Sequence, residues 1–164
     1  MGGHDGSPGL PLVPSRIRTL ARVLVGLALV VLVTGTVVTG TGPHGGDPDV
    51  DRLPFDITDV ARLHSGCTWL FLAAAVWTLI ELRRSGTPRQ VDLRAKLLVG
   101  AIVVQGAIGY TQYFTGVPPW LVLLHVLGST LVWIAVLEFY LSLTAHPVEV
   151  PPRPVEVPAR QTDG

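Results

Sequence analysis

Three stretches of this chain contain no charged residue: 23–41, 63–80 and 97–137. A helix that crosses a bilayer needs about 20 mainly apolar residues, and about 18 are enough to raise the candidacy. The third stretch is too long for one crossing. Gly116-Val117-Pro118-Pro119 divides it, because proline lacks the N–H that a helix interior requires. The runs predict four transmembrane helices at 20–41, 60–82, 95–114 and 119–143. The expected fold class is all-α, an integral membrane four-helix bundle made of two repeated helical hairpins. Only 15% of residues are charged, against about 25% in an average soluble domain.

The ends read differently. Residues 1–19 open with Gly2, Gly3, Gly6, Pro8, Gly9, Pro11 and Pro14, and 145–164 hold Pro147, Pro151, Pro152, Pro154 and Pro158. Both compositions predict disordered tails flanking a membrane domain at 20–144. The apolar run after the first tail is too long for a signal peptide. Cys67, the single cysteine, excludes an intrachain disulfide. A net charge of zero argues against a nucleic-acid partner.

Loop charges orient the bundle. Arg16, Arg18 and Arg22 precede the first helix, and Arg83, Arg84, Arg89, Arg94 and Lys96 surround the link between the second and third. The link between the first and second is acidic, with Asp47, Asp49, Asp51, Asp56 and Asp59 against Arg52. The expectation is a multi-pass protein of the cell membrane with both termini cytoplasmic.

Polar residues inside a membrane are costly and mark function by default. His64 and His125 each fall roughly 6–9 Å below the outer end of their helix at 1.5 Å per residue. The chain reads as two copies of one hairpin, with Val33-Thr34-Gly35 matched to Val104-Gln105-Gly106 and His64-Ser65-Gly66 matched loosely to His125-Val126-Leu127-Gly128. Such a repeat sets the histidines at one height on facing helices. Two neutral imidazoles facing across a bundle suit the two axial positions of a heme iron. Gly128 and Ser129, Gly106 and Gly109, and Gly35, Thr36, Thr39 and Gly40 offer room for a flat macrocycle. Close helix packing through small residues explains the glycines equally well, but not the histidines.

Other residues have competing readings. His64 and Cys67 form His-x-x-Cys, a possible copper pair, although a lone thiol in an apolar run is usually a small buried hydrophobe. Arg52 and Arg62 sit at the outer face, placed to meet heme propionates or, for Arg62, lipid headgroups. His44 reads as a loop histidine. Gln105, Gln112, Tyr110 and Tyr113 can bond a ligand edge or one another. Trp69, Trp77, Trp120 and Trp133 read as interface anchors and packing. Glu81 and Glu138 are expected to snorkel at the inner boundary, Glu81 beside Arg84.

These motifs together resemble the heme A synthase family. Thr34-Gly35-Thr36-Val37-Val38-Thr39-Gly40-Thr41-Gly42-Pro43-His44-Gly45-Gly46-Asp47 resembles the end of that family's fifth helix. Ala61-Arg62-Leu63-His64 resembles the start of its sixth. Gln105-Gly106-Ala107-Ile108-Gly109-Tyr110-Thr111-Gln112-Tyr113-Phe114-Thr115-Gly116-Val117-Pro118 resembles its seventh helix and turn, and Leu123-Leu124-His125-Val126-Leu127-Gly128 its eighth. The resemblance spans about residues 20–143.

The resemblance implies the C-terminal half of an eight-helix oxidoreductase that converts the heme O methyl group to a formyl group, giving heme A for terminal oxidases. That half is taken to hold an electron-transferring heme b, with His64 and His125 as bis-histidine iron ligands and Arg62 and Gly128 as cofactor contacts. Heme O held by a second four-helix half, heme O synthase and membrane lipid are the implied partners. The family's catalytic carboxylate is a Glu three residues before a histidine in the other half. Here those positions hold Ala61 and Val122, and 42–59 has no cysteine, unlike some members. The resemblance therefore implies a cofactor half that needs a partner half, while the residues also admit a small b-type cytochrome working with quinone, or an assembly subunit with no cofactor.

Overall fold

The computed structural model describes residues 10–43, 49 and 51–145. It contains four helices: α1 (Ser15–Thr41), α2 (Ile57–Arg84), α3 (Arg89–Phe114) and α4 (Pro119–Leu141). Two short strands, β1 (Leu10–Pro11) and β2 (Thr144–Ala145), pair antiparallel. Residues 1–9, His44 and 146–164 lie outside the described residues.

Local chemistry explains the helix ends. Asp56 caps α2 by accepting from the N–H groups of Thr58 (2.7 Å) and Asp59 (3.2 Å). Gly116 ends α3 at φ +78°, and the Val117 N–H returns to the Gln112 carbonyl at 2.8 Å, a Schellman closure. Pro119 then occupies the first turn of α4, where a missing N–H is harmless.

The first three helices begin three to six residues before the sequence expectation, or end two later, because charged flanks continue the helix. α1 starts at Ser15 rather than 20. Residues 10–14 are correspondingly not a free tail. Leu12 N–H donates to the Leu143 carbonyl at 2.9 Å, and Val13 is buried.

The helices pack in a ring, α1 on α2, α2 on α3, α3 on α4 and α4 on α1, with the two hairpin interfaces the most extensive. α2 and α4 are therefore diagonal partners. α1, α2 and α4 are each long and apolar enough to cross a membrane. α3 is not among them: its first turns carry Arg89, Asp92, Arg94 and Lys96, and its last carry Gln105, Tyr110, Gln112 and Tyr113. Four-residue links at 85–88 and 115–118 still force it to return beside α2 and α4.

The outer surface confirms the solvent. Leu29, Val30, Val33, Leu63, Trp69, Leu70, Leu97, Leu123, Leu127, Leu131 and Leu141 are all exposed. Burying one such side chain is worth about 1.5–3 kcal/mol, so in water this list would exceed the 5–15 kcal/mol net stability of a domain. In lipid the same surface carries no penalty. The chain is a membrane protein with an all-α bundle fold.

The core follows one seam per helix. Ile17, Ala21, Leu24 and Ala28 are buried on α1, and Val91, Ala95, Leu98 and Ile102 on α3. One constant shift in numbering maps the first set onto the second. Another maps His64, Ala75, Thr78 and Leu82 onto His125, Val136, Phe139 and Leu143. The hairpin repeat is thus real, but its register differs from the sequence expectation. Gly35 corresponds to Gly109, not Gly106. The two candidates are three residues apart, a spacing that keeps a helix face and hides the slip.

Candidate functional site

The site lies at the end of the bundle that holds the 42–56 link and the 115–118 turn. His64 sits on the α2 seam and His125 at the equivalent point of α4. Each ring leans on the preceding helix at a glycine. A Cβ at Gly35 would lie 3.1 Å from His64 Cε1, and one at Gly109 would lie 3.1 Å from His125 Cε1. An alanine at either position would press on the ring. The two glycines give the imidazoles space between helices, which is the close-approach role the sequence left open.

His64 has a defined tautomer. Thr34 Oγ1 lies 3.1 Å from His64 Nδ1. The same hydroxyl is 2.9 Å from the Val30 carbonyl and 3.1 Å from that of Val31, so its one hydrogen is committed to the helix backbone. It can offer Nδ1 only a lone pair. With that hydrogen on the backbone, Nδ1 carries the proton and Nε2 is the bare nitrogen, the one free to bind a metal. In the sequence Thr34 is part of a Val-Thr-Gly motif that does not announce this role. A threonine in a helix usually bonds its own backbone, so no sequence signal separates the two.

His125 lacks such a partner. Its Nδ1 is buried and unpaired among the described residues, and so are the Oε1 atoms of Gln105 and Gln112. Leaving such a group unpaired costs about 1–3 kcal/mol. The two glutamines belong to one seam: Ile102 continues along α3 to Gln105, Gly109 and Gln112. The equivalent positions of α1 are Val31, Gly35 and Val38. Polarity thus enters the second hairpin where the first stays apolar.

Other expected site residues are elsewhere. Gly128 is buried, and the space before it is filled by the Gln105 amide, with which a Cβ there would collide. Arg62 pairs with Asp59 at 3.5 Å, both about three-quarters exposed. It lies two residues from His64, roughly 200° around the helix. Arg52 reaches the Pro43 carbonyl at 3.5 Å. Tyr110 bonds Ser65 (2.8 Å) and Trp69 (3.0 Å) of α2, and Tyr113 packs edge-on against Phe114. Trp133 packs on the core. Glu81 is buried rather than snorkelling, held by Arg16 (3.3 Å) and Arg84 (3.5 Å). Glu138 is more exposed and pairs with Arg94 at 3.4 Å. An open cavity of about 330 Å³ lined by Arg83, Arg89, Asp92 and Lys96 lies at the opposite end of the bundle from the histidines.

These residues fit a heme better than a bare metal ion. No group of three or more His, Cys, Asp or Glu able to hold a metal occurs among the described residues, so His64 and Cys67 form no such cluster. A porphyrin brings four of its own nitrogens and asks the protein for two axial ligands. The bundle supplies two imidazoles on diagonal helices, each packed directly on a glycine of the preceding helix.

Comparison with known proteins finds two curated relatives. The chain is similar to the heme A synthase of Azorhizobium caulinodans, 31% identical over 75% of this chain and 41% of the relative. It is also similar to the heme A synthase of a Bradyrhizobium species, 29% identical over 69% of this chain and 37% of the relative. It thus spans about two fifths of the length of these curated relatives. No family model matches, and no solved structure matches.

Proposed function

We propose that this chain, a partial relative of the heme A synthases, is the cofactor-heme half of such an enzyme, corresponding to the C-terminal four helices. The observation that carries the reading is the pair of imidazoles on diagonal helices, each seated on a glycine of the preceding helix. His64 and His125 are the residues that would hold the heme iron. Bound there, a b-type heme would supply one-electron transfer to or from a substrate heme held by a second four-helix half.

This chain's own residues do the rest. Thr34 holds the His64 proton on Nδ1 and leaves Nε2 as the nitrogen available to iron. Gly35 and Gly109 let both rings pack directly on the preceding helix. Ala61 and Val122 hold no carboxylate, so oxidation of the heme O methyl group to formyl depends on a Glu in the partner half. Loop charges put the histidine end outside and both termini in the cytoplasm. Arg62 and Arg52 are left to propionate or headgroup contacts at that face.

The test is the optical spectrum of the purified protein. A bis-histidine b-type signal is expected, and both His64→Ala and His125→Ala should abolish it. An unchanged spectrum in either variant ends the assignment. Full heme loading with no effect of gene loss on heme A would instead favour an electron carrier.

A further inference from the structure

We propose that Gln112 is the positioning residue of His125, its carboxamide oxygen accepting the imidazole Nδ1–H as Thr34 does for His64. This rests on the heme reading for one of its two readouts only. Three observations carry it. Gln112 Oε1 and His125 Nδ1 are both buried without partners, one an acceptor and the other able to carry a hydrogen. Gln112 follows Gly109 by three residues on the α3 seam, and Gly109 is the glycine that His125 leans on. The matching position on α1 is Val38, in the hairpin whose histidine already has Thr34. A polar side chain on a membrane core seam is costly without a bonding role.

Direction selects Gln112 over Gln105. Helical side chains tilt toward the N-terminus of their own helix. α3 and α4 are antiparallel, so His125 leans toward the 115–118 turn and Gln112 leans back toward His125. Gln105, one turn before Gly109, leans the other way, and its amide is already seated on Gly128. A rotation about the terminal torsion of Gln112, which has broad minima, turns its oxygen to the ring. An acceptor on Nδ1–H strengthens a histidine as an iron ligand, and a stronger acceptor favours the ferric state.

Two measurements test this on the full chain in detergent. Ring ¹⁵N NMR of heme-free protein reads the tautomer. His125 is expected as Nδ1–H in the native chain and Gln112→Glu, and as a mixture of tautomers in Gln112→Leu. Redox titration of heme-loaded protein should show the midpoint potential falling in Gln112→Glu and rising in Gln112→Leu, with Gln105→Leu close to native. Gln112→Asn, whose shorter reach loses the bond, replaces the leucine variant should that one misfold. Shifts of the same sign in the Glu and Leu variants, or a tautomer that responds to Gln105 and not Gln112, overturn the proposal. Failure of the native chain to take up heme would refute the function above, and the tautomer experiment would still decide this one.

Discussion

The two ends of the bundle are built from the same seams and differ in what fills them. At the end holding the chain termini and the 85–88 turn, Ile17, Leu24, Leu82, Val91, Leu98, Phe139 and Leu143 are all but fully buried. Arg16, Arg84 and Glu81 lock its rim. At the other end the seam residues are His64, His125, Gly35, Gly109, Gln105 and Gln112. Leu121 is the one core-sized hydrophobe buried there among the described residues. The lesson is a division of labour. One end holds the helices together by packing, and the other carries the polar seam residues that the proposed function assigns to a heme.

The comparison breaks first at the glycines. Leucine at Gly35 or Gly109 would occupy the place of an imidazole ring that already lies 3.1 Å from a bare Cβ. Either variant should lose bound heme almost completely, read as absorbance per protein, while its helical circular dichroism persists. Collapse of the whole bundle in Gly109→Leu would mean that the open end also carries stability. Phe139→Ala should do the reverse. It removes a fully buried ring from the closed end, for which aqueous cores lose about 3–5 kcal/mol. In lipid the low end is expected, since lipid tails are as apolar as the core. Unfolding midpoints in mixed detergent measure it.

Much of this was legible in the residues. Uncharged runs revealed the helices, because a bilayer tolerates no unpaired backbone, and shared depth singled out His64 and His125, which pack on equivalent glycines. The helix starts at Ser15, Ile57 and Arg89 were not legible, since charged turns beyond the membrane look like loops while the bundle still packs them. The repeat register was also misread, because Gly106 and Gly109 lie on one face and only the contact with His125 distinguishes them. How the seams fill at each end depends on which side chains meet between helices, which no single helix encodes.

The rim of the closed end gives a smaller effect. Glu81 is mostly buried, whereas Arg16 and Arg84 are about two-thirds exposed. Glu81→Gln leaves the arginines hydrated and keeps the shape, so a loss of about 1 kcal/mol is expected, near the upper range for exposed ion pairs. Salt should weaken the native protein toward the variant. A loss matching that of Phe139→Ala would make the rim, not the core, the clamp.

The smallest effect sits where the open end begins. The N–H groups of Asp59 and Thr58, bonded to the Asp56 carboxylate, hold it below its ordinary pKa of 3.8. A carboxyl whose folded pKa is lowered adds stability that is fully present above its unfolded value and is lost as pH falls through the folded one. The first turn of α2 should therefore be intact at neutral pH and fray below about pH 4. Asp56→Asn, a nearly equal cap without the charge, should remove the pH dependence and keep the turn. Hydrogen exchange of the 57–60 amides reads both. His64 lies two turns further along α2, beyond the reach of first-turn fraying, so heme binding should not follow this transition. A heme loss that tracks the Asp56 cap would show that the histidine end depends on its loop, and that the bundle is less divided than its burial pattern implies.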